Sequence, residues 1–224
     1  MKDLGYAHLK VKTDEKVEED GDKVRGFFAS KFKDEPLVHH HTDDVGLVFS
    51  YPKVQYAVVE GEPIISGFEK GKKPVQKMVD CADVLTLGSS EYEVESWSLD
   101  VGKAEIGETR EQHYYRFITP WLALNSENYE KYKSMDDWKE KKELLNSILT
   151  GNILSMCKGF NRVVDREIYV HTHLEDQVVN FKGVKMIGFT GKVKVNFKLP
   201  DFIGLGKSVS RGYGKLIERS RSED

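Results

Sequence analysis

The chain has 224 residues, enough for one large domain or two small ones, and its 39% hydrophobic and 32% charged residues are those of an ordinary globular protein. No apolar run reaches the length that spans a bilayer and the N-terminus lacks a signal-peptide core, so a cytoplasmic protein without a membrane partner is expected. A net charge of −3 speaks against a generic nucleic-acid binder, yet the charge is segregated: between Lys182 and Ser222 ten lysines and arginines stand against Asp201 and Glu218 alone, while acids crowd into 14–22 and 91–111. That basic segment suits an RNA track or a solvated lysine face. Cys81 and Cys157 lie far apart on expected helices and read as buried thiols, with no disulfide framework or zinc site.

In chain order, Leu4 to Lys12 alternates with Ala7, Leu9 and Val11 on one face and predicts a strand. An acidic loop follows, and then Val24, Phe27, Phe28 and Phe32 recur at helical spacing, with Pro36 expected to end the helix. Val48 to Val59 predicts a strand, Gly61-Glu62-Pro63 a turn, and Ile64 to Phe68 the partner strand of a hairpin. Pro74 suits the first turn of a helix carrying Val75, Met78, Val79 and Ala82, and Tyr92 to Val101 alternates as a strand. The order strand, helix, hairpin, helix, strand is the ferredoxin-like pattern.

Gly102 to Glu111, charged and glycine-bearing, predicts a linker, and His113 to Leu124 a strand. Met135 to Lys158 predicts a helix burying Leu145, Ile148, Leu149, Ile153 and Met156. Glu167 to Thr172, Val184 to Phe189 and Lys192 to Leu199 predict strands, the last with Val193, Val195 and Phe197 alternating against lysines. Trp97, Trp121 and Trp138 are assigned to the core. The helix that would complete a second ferredoxin-like unit is missing or reduced, and a glycine-rich stretch, PDFIGLGKSVSRGYGKL from Pro200 to Leu216, takes its place.

In that stretch Gly204, Gly206, Gly212 and Gly214 frame Lys207, Ser208, Ser210 and Arg211. Glycine lets backbone N–H groups approach a phosphate, and the lysine, arginine and hydroxyls add donors. The spacing fits no nucleotide-binding loop, so the phosphate reading points to a polynucleotide. A glycine-rich hairpin at a sheet edge accounts for the same composition.

His39, His40 and His41 follow Lys31 and Lys33. Imidazole can serve as base in one step and acid in another, which with one cation is what metal-free RNA cleavage requires. In an extended segment His39 and His41 share a side and His40 faces away. Adjacent histidines can also ligate a metal with Asp43 or Asp44, or form an inert polar loop. His171 and His173 repeat the spacing beside Glu175 and Asp176, as a solvated strand face would.

The GLGKSVSRGYG run after a basic strand, together with Tyr51-Pro52-Lys53-Val54-Gln55-Tyr56, Gly61 and Ile64-Ile65-Ser66-Gly67 behind a histidine cluster, resembles the CRISPR RNA-processing endoribonucleases of the repeat-associated mysterious protein superfamily. The resemblance implies an α+β chain of two tandem ferredoxin-like βαββαβ domains, the second partly degenerate: 1–101 with the histidines and 110–224 with the RNA-binding loop. It further implies Lys31, His39, His41 and Tyr51 as catalytic residues, and cleavage of CRISPR repeat RNA with no metal and no cofactor. A silent RNA-holding subunit of a CRISPR effector complex and a metal-dependent hydrolase are the alternatives. A homodimer is compatible with each.

Overall fold

A computed structural model describes residues 1–39 and 51–220. The chain forms two compact units, one of residues Asp3–Ala104 with Val209–Gly212, the other of Met1–Lys2, Glu105–Ser208 and Tyr213 onward.

The first unit contains β1 (Lys2–Thr13), α1 (Gly21–Lys31), α2 (Pro36–His39), β2 (Val54–Val59), β3 (Glu62–Phe68), α3 (Lys72–Gln76), β4 (Val84–Leu87) and the start of β5 (Ser90–Trp121). Its strand order is β2-β3-β1-β5, with β4 folded back antiparallel on the beginning of β5. β5 runs antiparallel to β1, because Asp14 meets Glu93, Lys12 pairs with Glu95 and the Tyr6 hydroxyl donates to Asp100. This is the ferredoxin-like arrangement. The period-2 face of β1 buries Ala7, Leu9 and Val11 against Val24 and Phe28 of α1, Tyr56 of β2 and Val75.

The second unit continues with the rest of β5, α4 (Ser126–Ser134), α5 (Trp138–Gly159), β6 (Val170–Phe181), β7 (Val184–Lys198) and β8 (Leu216–Glu218). Its order, β6-β7-β5-β8, repeats the first unit's topology. Between β7 and β8 the second helix is reduced to one 3-10 turn, Val209–Arg211. Leu145, Leu149, Ile153 and Met156 of α5 are buried together with Tyr115, Phe117, Val193, Val195 and Phe197.

Several local expectations are corrected. Residues 102–111 are not a linker but lie inside β5, where Gly107 pairs with Lys198 of β7. Pro36 starts α2 instead of ending α1, which stops at Lys31. Glu62 and Pro63 belong to β3, and the turn is the pair Glu60-Gly61, both at positive φ. The strands expected at 184–189 and 192–199 are one strand, β7, paired with β6 out to Phe181. α4 carries no apolar stripe that would announce a helix, since it buries none of its residues. Trp138 is 65% exposed, not core, because it opens α5 at the surface. Cys81 is half-buried and on no helix; Cys157 is buried on α5, where burial pushes its thiol up to about 11 and keeps it protonated.

Candidate functional site

The segment leading to the histidines is tightly held. The carboxylate of Asp20 caps α1 by accepting from the N–H groups of Asp22 and Lys23 at 3.0 and 3.3 Å. Phe28 anchors the helix against Tyr56, ring centroids 6.0 Å apart. Lys31 is the last residue of α1; its ammonium donates to the Cys81 carbonyl at 3.2 Å and lies 5.6 Å from the centre of the Phe27 ring. α2 is pinned by buried Val38, whose carbonyl accepts from the Tyr56 hydroxyl at 3.5 Å, and by an ion pair between Glu35 and Lys77. Burial pushes the Tyr56 phenol far up, so it remains a neutral donor.

His39 is the final residue of α2, so the histidine run begins in a helical turn. The expectation that His39 and His41 share a side and His40 faces away falls on His40 and His41, which lie outside the described residues. Tyr51 is half-buried, its ring centre 5.8 Å from the ammonium of Lys53. Lys53 belongs to the Tyr51–Tyr56 block that carries the resemblance, which assigns it no role. Burial pushes its ammonium down to about 8, with Glu69 opposing the shift, so it titrates close to the imidazole range. Nothing in the local sequence signals this, because the shift comes from burial.

The glycine-rich stretch folds as a hairpin. Leu205 N–H donates to Gly214 at 2.9 Å, Leu216 N–H to Ile203 at 3.1 Å, and Phe202 N–H to Leu216 at 2.7 Å. It is strapped to the end of β5, since Gly214 N–H donates to Pro120 and Lys207 N–H to Leu122. Gly206 and Gly214 sit at φ +89° and +68°; a Cβ there would lie 2.5 Å from the Trp121 indole nitrogen and 2.0 Å from the Leu205 carbonyl oxygen. These two glycines are required by close packing, and the amides of Leu205, Lys207 and Gly214 are spent on backbone carbonyls. What the hairpin offers outward is a side chain, the exposed Lys207, with Ser208 half-exposed beside it. Residues 209–212 cluster with the first unit. There Ser210 is buried, and Arg211 pairs with Asp22 of α1 at 2.9 Å.

Two family models account for nearly the whole chain: the Cas6b N-terminal domain over residues 2–105 and the Cas6b C-terminal domain over residues 107–219. The chain belongs to the Cas6b family. A crystal structure of a Cas6b superposes with a TM-score of 0.85 at 31% identity, covering 97% of this chain and 100% of that one. A second, a CRISPR RNA processing endoribonuclease Cas6b, gives 0.75 at 28% identity over 97% and 100%. An uncharacterized protein of Methanocaldococcus jannaschii is 42% identical over 134 residues, 59% of this chain and 90% of that one. Tandem ferredoxin-like units with a reduced second helix in the later one are therefore the Cas6b architecture of this chain. No helix among the described residues is long and apolar enough to cross a membrane.

A buried lysine supports the hairpin of this Cas6b chain. Lys215 is 1% exposed, and its Nζ donates to the Phe202 carbonyl at 2.9 Å. Burial holds its pKa well below the usual 10.5. The unfolded chain then binds a proton that the folded chain does not, so folding stability rises with pH from the folded pKa towards 10.5. The slope from one such group is at most about 1.4 kcal/mol per pH unit. Lys53, depressed to about 8, adds a slope of the same sign above that pH. The difference between the parent and Lys215→Met in denaturant midpoints across the alkaline range isolates Lys215. The variant is expected to lose the steeper part of the rise, and identical pH profiles would show that Lys215 is charged in the folded state.

Proposed function

We propose that this Cas6b-family chain is a metal-independent endoribonuclease that cuts CRISPR repeat RNA. What carries the reading is the match of both halves of the chain to the two Cas6b domains, with histidine and tyrosine positions ahead of β2 and a basic glycine hairpin ahead of β8. The N-terminal half supplies the chemistry and the C-terminal half the hairpin. One of His39 and His41 removes the proton from a ribose 2′-hydroxyl, whose oxygen attacks the adjacent phosphorus. The bond to the 5′-oxygen breaks as the other histidine protonates that oxygen, leaving a 2′,3′-cyclic phosphate. Lys31 offsets the charge that builds on the phosphoryl oxygens, and Tyr51 contributes its hydroxyl to the same centre.

The test is a labelled repeat RNA incubated with excess chelator, beside the same RNA carrying a 2′-deoxy nucleotide before the scissile phosphate. Cleavage of the first and none of the second, with binding retained, is expected. Cutting of the deoxy RNA, or activity restored only by added metal, points to water as nucleophile and defeats the proposal. Binding without any cleavage makes the chain an RNA-holding subunit.

For the hairpin, Lys207→Ala is expected to weaken repeat binding by about 1–3 kcal/mol, the scale of a charge-assisted hydrogen bond to phosphate. It should also flatten the salt dependence of binding. Arg211→Ala is the less clean variant, because it also breaks the pair with Asp22. Unchanged affinity and salt slope in Lys207→Ala remove the hairpin from the RNA contact.

A further inference from the structure

The middle of the glycine-rich stretch is built into the first unit. Val209 and Ser210 are buried, and the 3-10 turn Val209–Arg211 packs on both α1 and β2. Three backbones meet there without room for a side chain. A Cβ on Gly21, the first residue of α1, would lie 2.8 Å from the carbonyl oxygens of both Arg211 and Tyr56. One on Gly212, at φ +102°, would lie 3.3 Å from the same Tyr56 oxygen. Across this contact one nitrogen of the Arg211 guanidinium lies 2.9 and 3.0 Å from the two oxygens of the Asp22 carboxylate. Arg25, one turn further along α1, is half-buried beside them. Its guanidinium is pushed down by burial and then by Arg211, with Asp22 opposing, so one carboxylate serves two arginines.

These contacts fall on the elements that carry the proposed chemistry. α1 ends at Lys31, and β2 holds Tyr56, whose hydroxyl donates to the carbonyl of Val38, the residue before His39. A helix moves as a stiff rod over so short a length, so a shift at Asp22 is carried to Lys31. Misplacing a reacting group by about 1 Å can cost about 10²-fold in rate. An acid that neutralises Arg211 suits a clamp and opposes a phosphate contact. We propose that Asp22 and Arg211 are positioning residues for the cleavage: the pair clamps residues 209–212 onto α1 and β2, and so fixes α1 and, through Tyr56, the turn that ends at His39. The inference rests on the reading of the chain as an RNA-cutting enzyme with Lys31 and His39 at its centre.

The experiment is single-turnover cleavage of labelled repeat RNA by the full chain in saturating excess, beside the affinity for repeat RNA with a 2′-deoxy nucleotide before the scissile phosphate. With enzyme in excess an unfolded fraction leaves the rate unchanged, so the rate reads the chemistry of the folded chain. Asp22→Asn is expected to slow cleavage by about fivefold or more, because it leaves Arg211 and Arg25 to repel each other across the contact. It should bind the RNA at least as tightly as the parent, having lost an acid. Arg211→Gln should slow cleavage several-fold, with affinity within about twofold and the salt slope unchanged. Asp22→Asn/Arg211→Gln should be no slower than Asp22→Asn alone, since two changes that break one pair do not add. Both limbs of the pH profile should survive in all three, because no proton-transfer group is removed. Faster hydrogen exchange of the α1 amides should accompany the loss of rate.

Parental rates in both single variants overturn the proposal and leave the proposed function standing. Weaker binding and a flatter salt slope in Arg211→Gln, with Asp22→Asn cutting at the parental rate, overturn it in favour of a phosphate contact. Losses that multiply in the double variant overturn it too, because they give the two residues separate roles. A parent chain that cuts no repeat RNA defeats the proposed function instead. The clamp is then read by hydrogen exchange alone: α1 amides that exchange faster in both single variants support it, and unchanged exchange overturns it.

Discussion

His39→Ala and His41→Ala are each expected to slow single-turnover cleavage of repeat RNA by roughly 10²–10⁴-fold, the usual contribution of general acid–base catalysis. Repeat affinity should change little, because a neutral imidazole adds little to phosphate binding. The parent rate should follow a bell-shaped pH profile with both limbs in the range where imidazole titrates, and each variant should lose one limb. Lys31→Ala should lower the rate across the profile and keep both limbs, since it acts on charge and moves no proton. Lys53 adds a discriminating arm: its ammonium is depressed to about 8, so an alkaline limb that survives both histidine variants and disappears in Lys53→Met belongs to the lysine. His40→Ala should be milder, because in an extended segment it faces away from its neighbours. Equal losses of rate and binding would make the cluster a binding surface, and no loss in any histidine variant would relocate the active centre.

Trp121→Ala is expected to cost about 3–5 kcal/mol of folding stability, the range for emptying a large aromatic from a core. Trp121 is fully buried, stacks on Phe117 with ring centroids 5.3 Å apart, and lies 6.0 Å from Phe189. Its indole N–H donates to the Asn152 side chain at 3.0 Å, so the truncation also strips a partner from a polar group on α5. Gly206 is seated directly against the indole, so the same change loosens the glycine hairpin, and RNA affinity should fall with stability. Trp121→Phe, which keeps most of the packing but not the N–H, should fall between the two. Urea or thermal unfolding measures the effect, and a loss below about 1 kcal/mol for Trp121→Ala would show that the pocket collapses around the gap.

The blocks on which family membership was legible are contiguous runs of residues: Tyr51 to Tyr56, and Gly204 to Gly214. The site was less legible. The depressed Lys53 is invisible in sequence because desolvation depends on what packs over the side chain, and the pairing of Arg211 with Asp22 joins residues far apart in the chain. On the second unit's sheet the spacing of His171 and His173 is local in the chain, but Lys194 and Lys192 come opposite them, and Arg116 opposite Lys192, only through strand register.

What the sequence determined by itself is what is local in the chain. The alternation of Ala7, Leu9 and Val11, and of Val193, Val195 and Phe197, places one face of each strand in a core whatever its partners are. The stripe of Val24 and Phe28 does the same for α1. Only the tertiary structure decided where elements join and what the glycines are for. Gly102 and Gly107 look like a linker in isolation but are strand because other strands supply the hydrogen-bond partners, as Lys198 does for Gly107. Gly191 likewise looks like a break, yet β7 continues through it, opposite Leu174 of β6. Gly206 and Gly214 look like a phosphate cradle, yet Trp121 and Leu205 leave no room for a side chain there. In each case a residue with no side chain carries no pattern of its own, so its conformation is set by groups brought to it from distant parts of the chain.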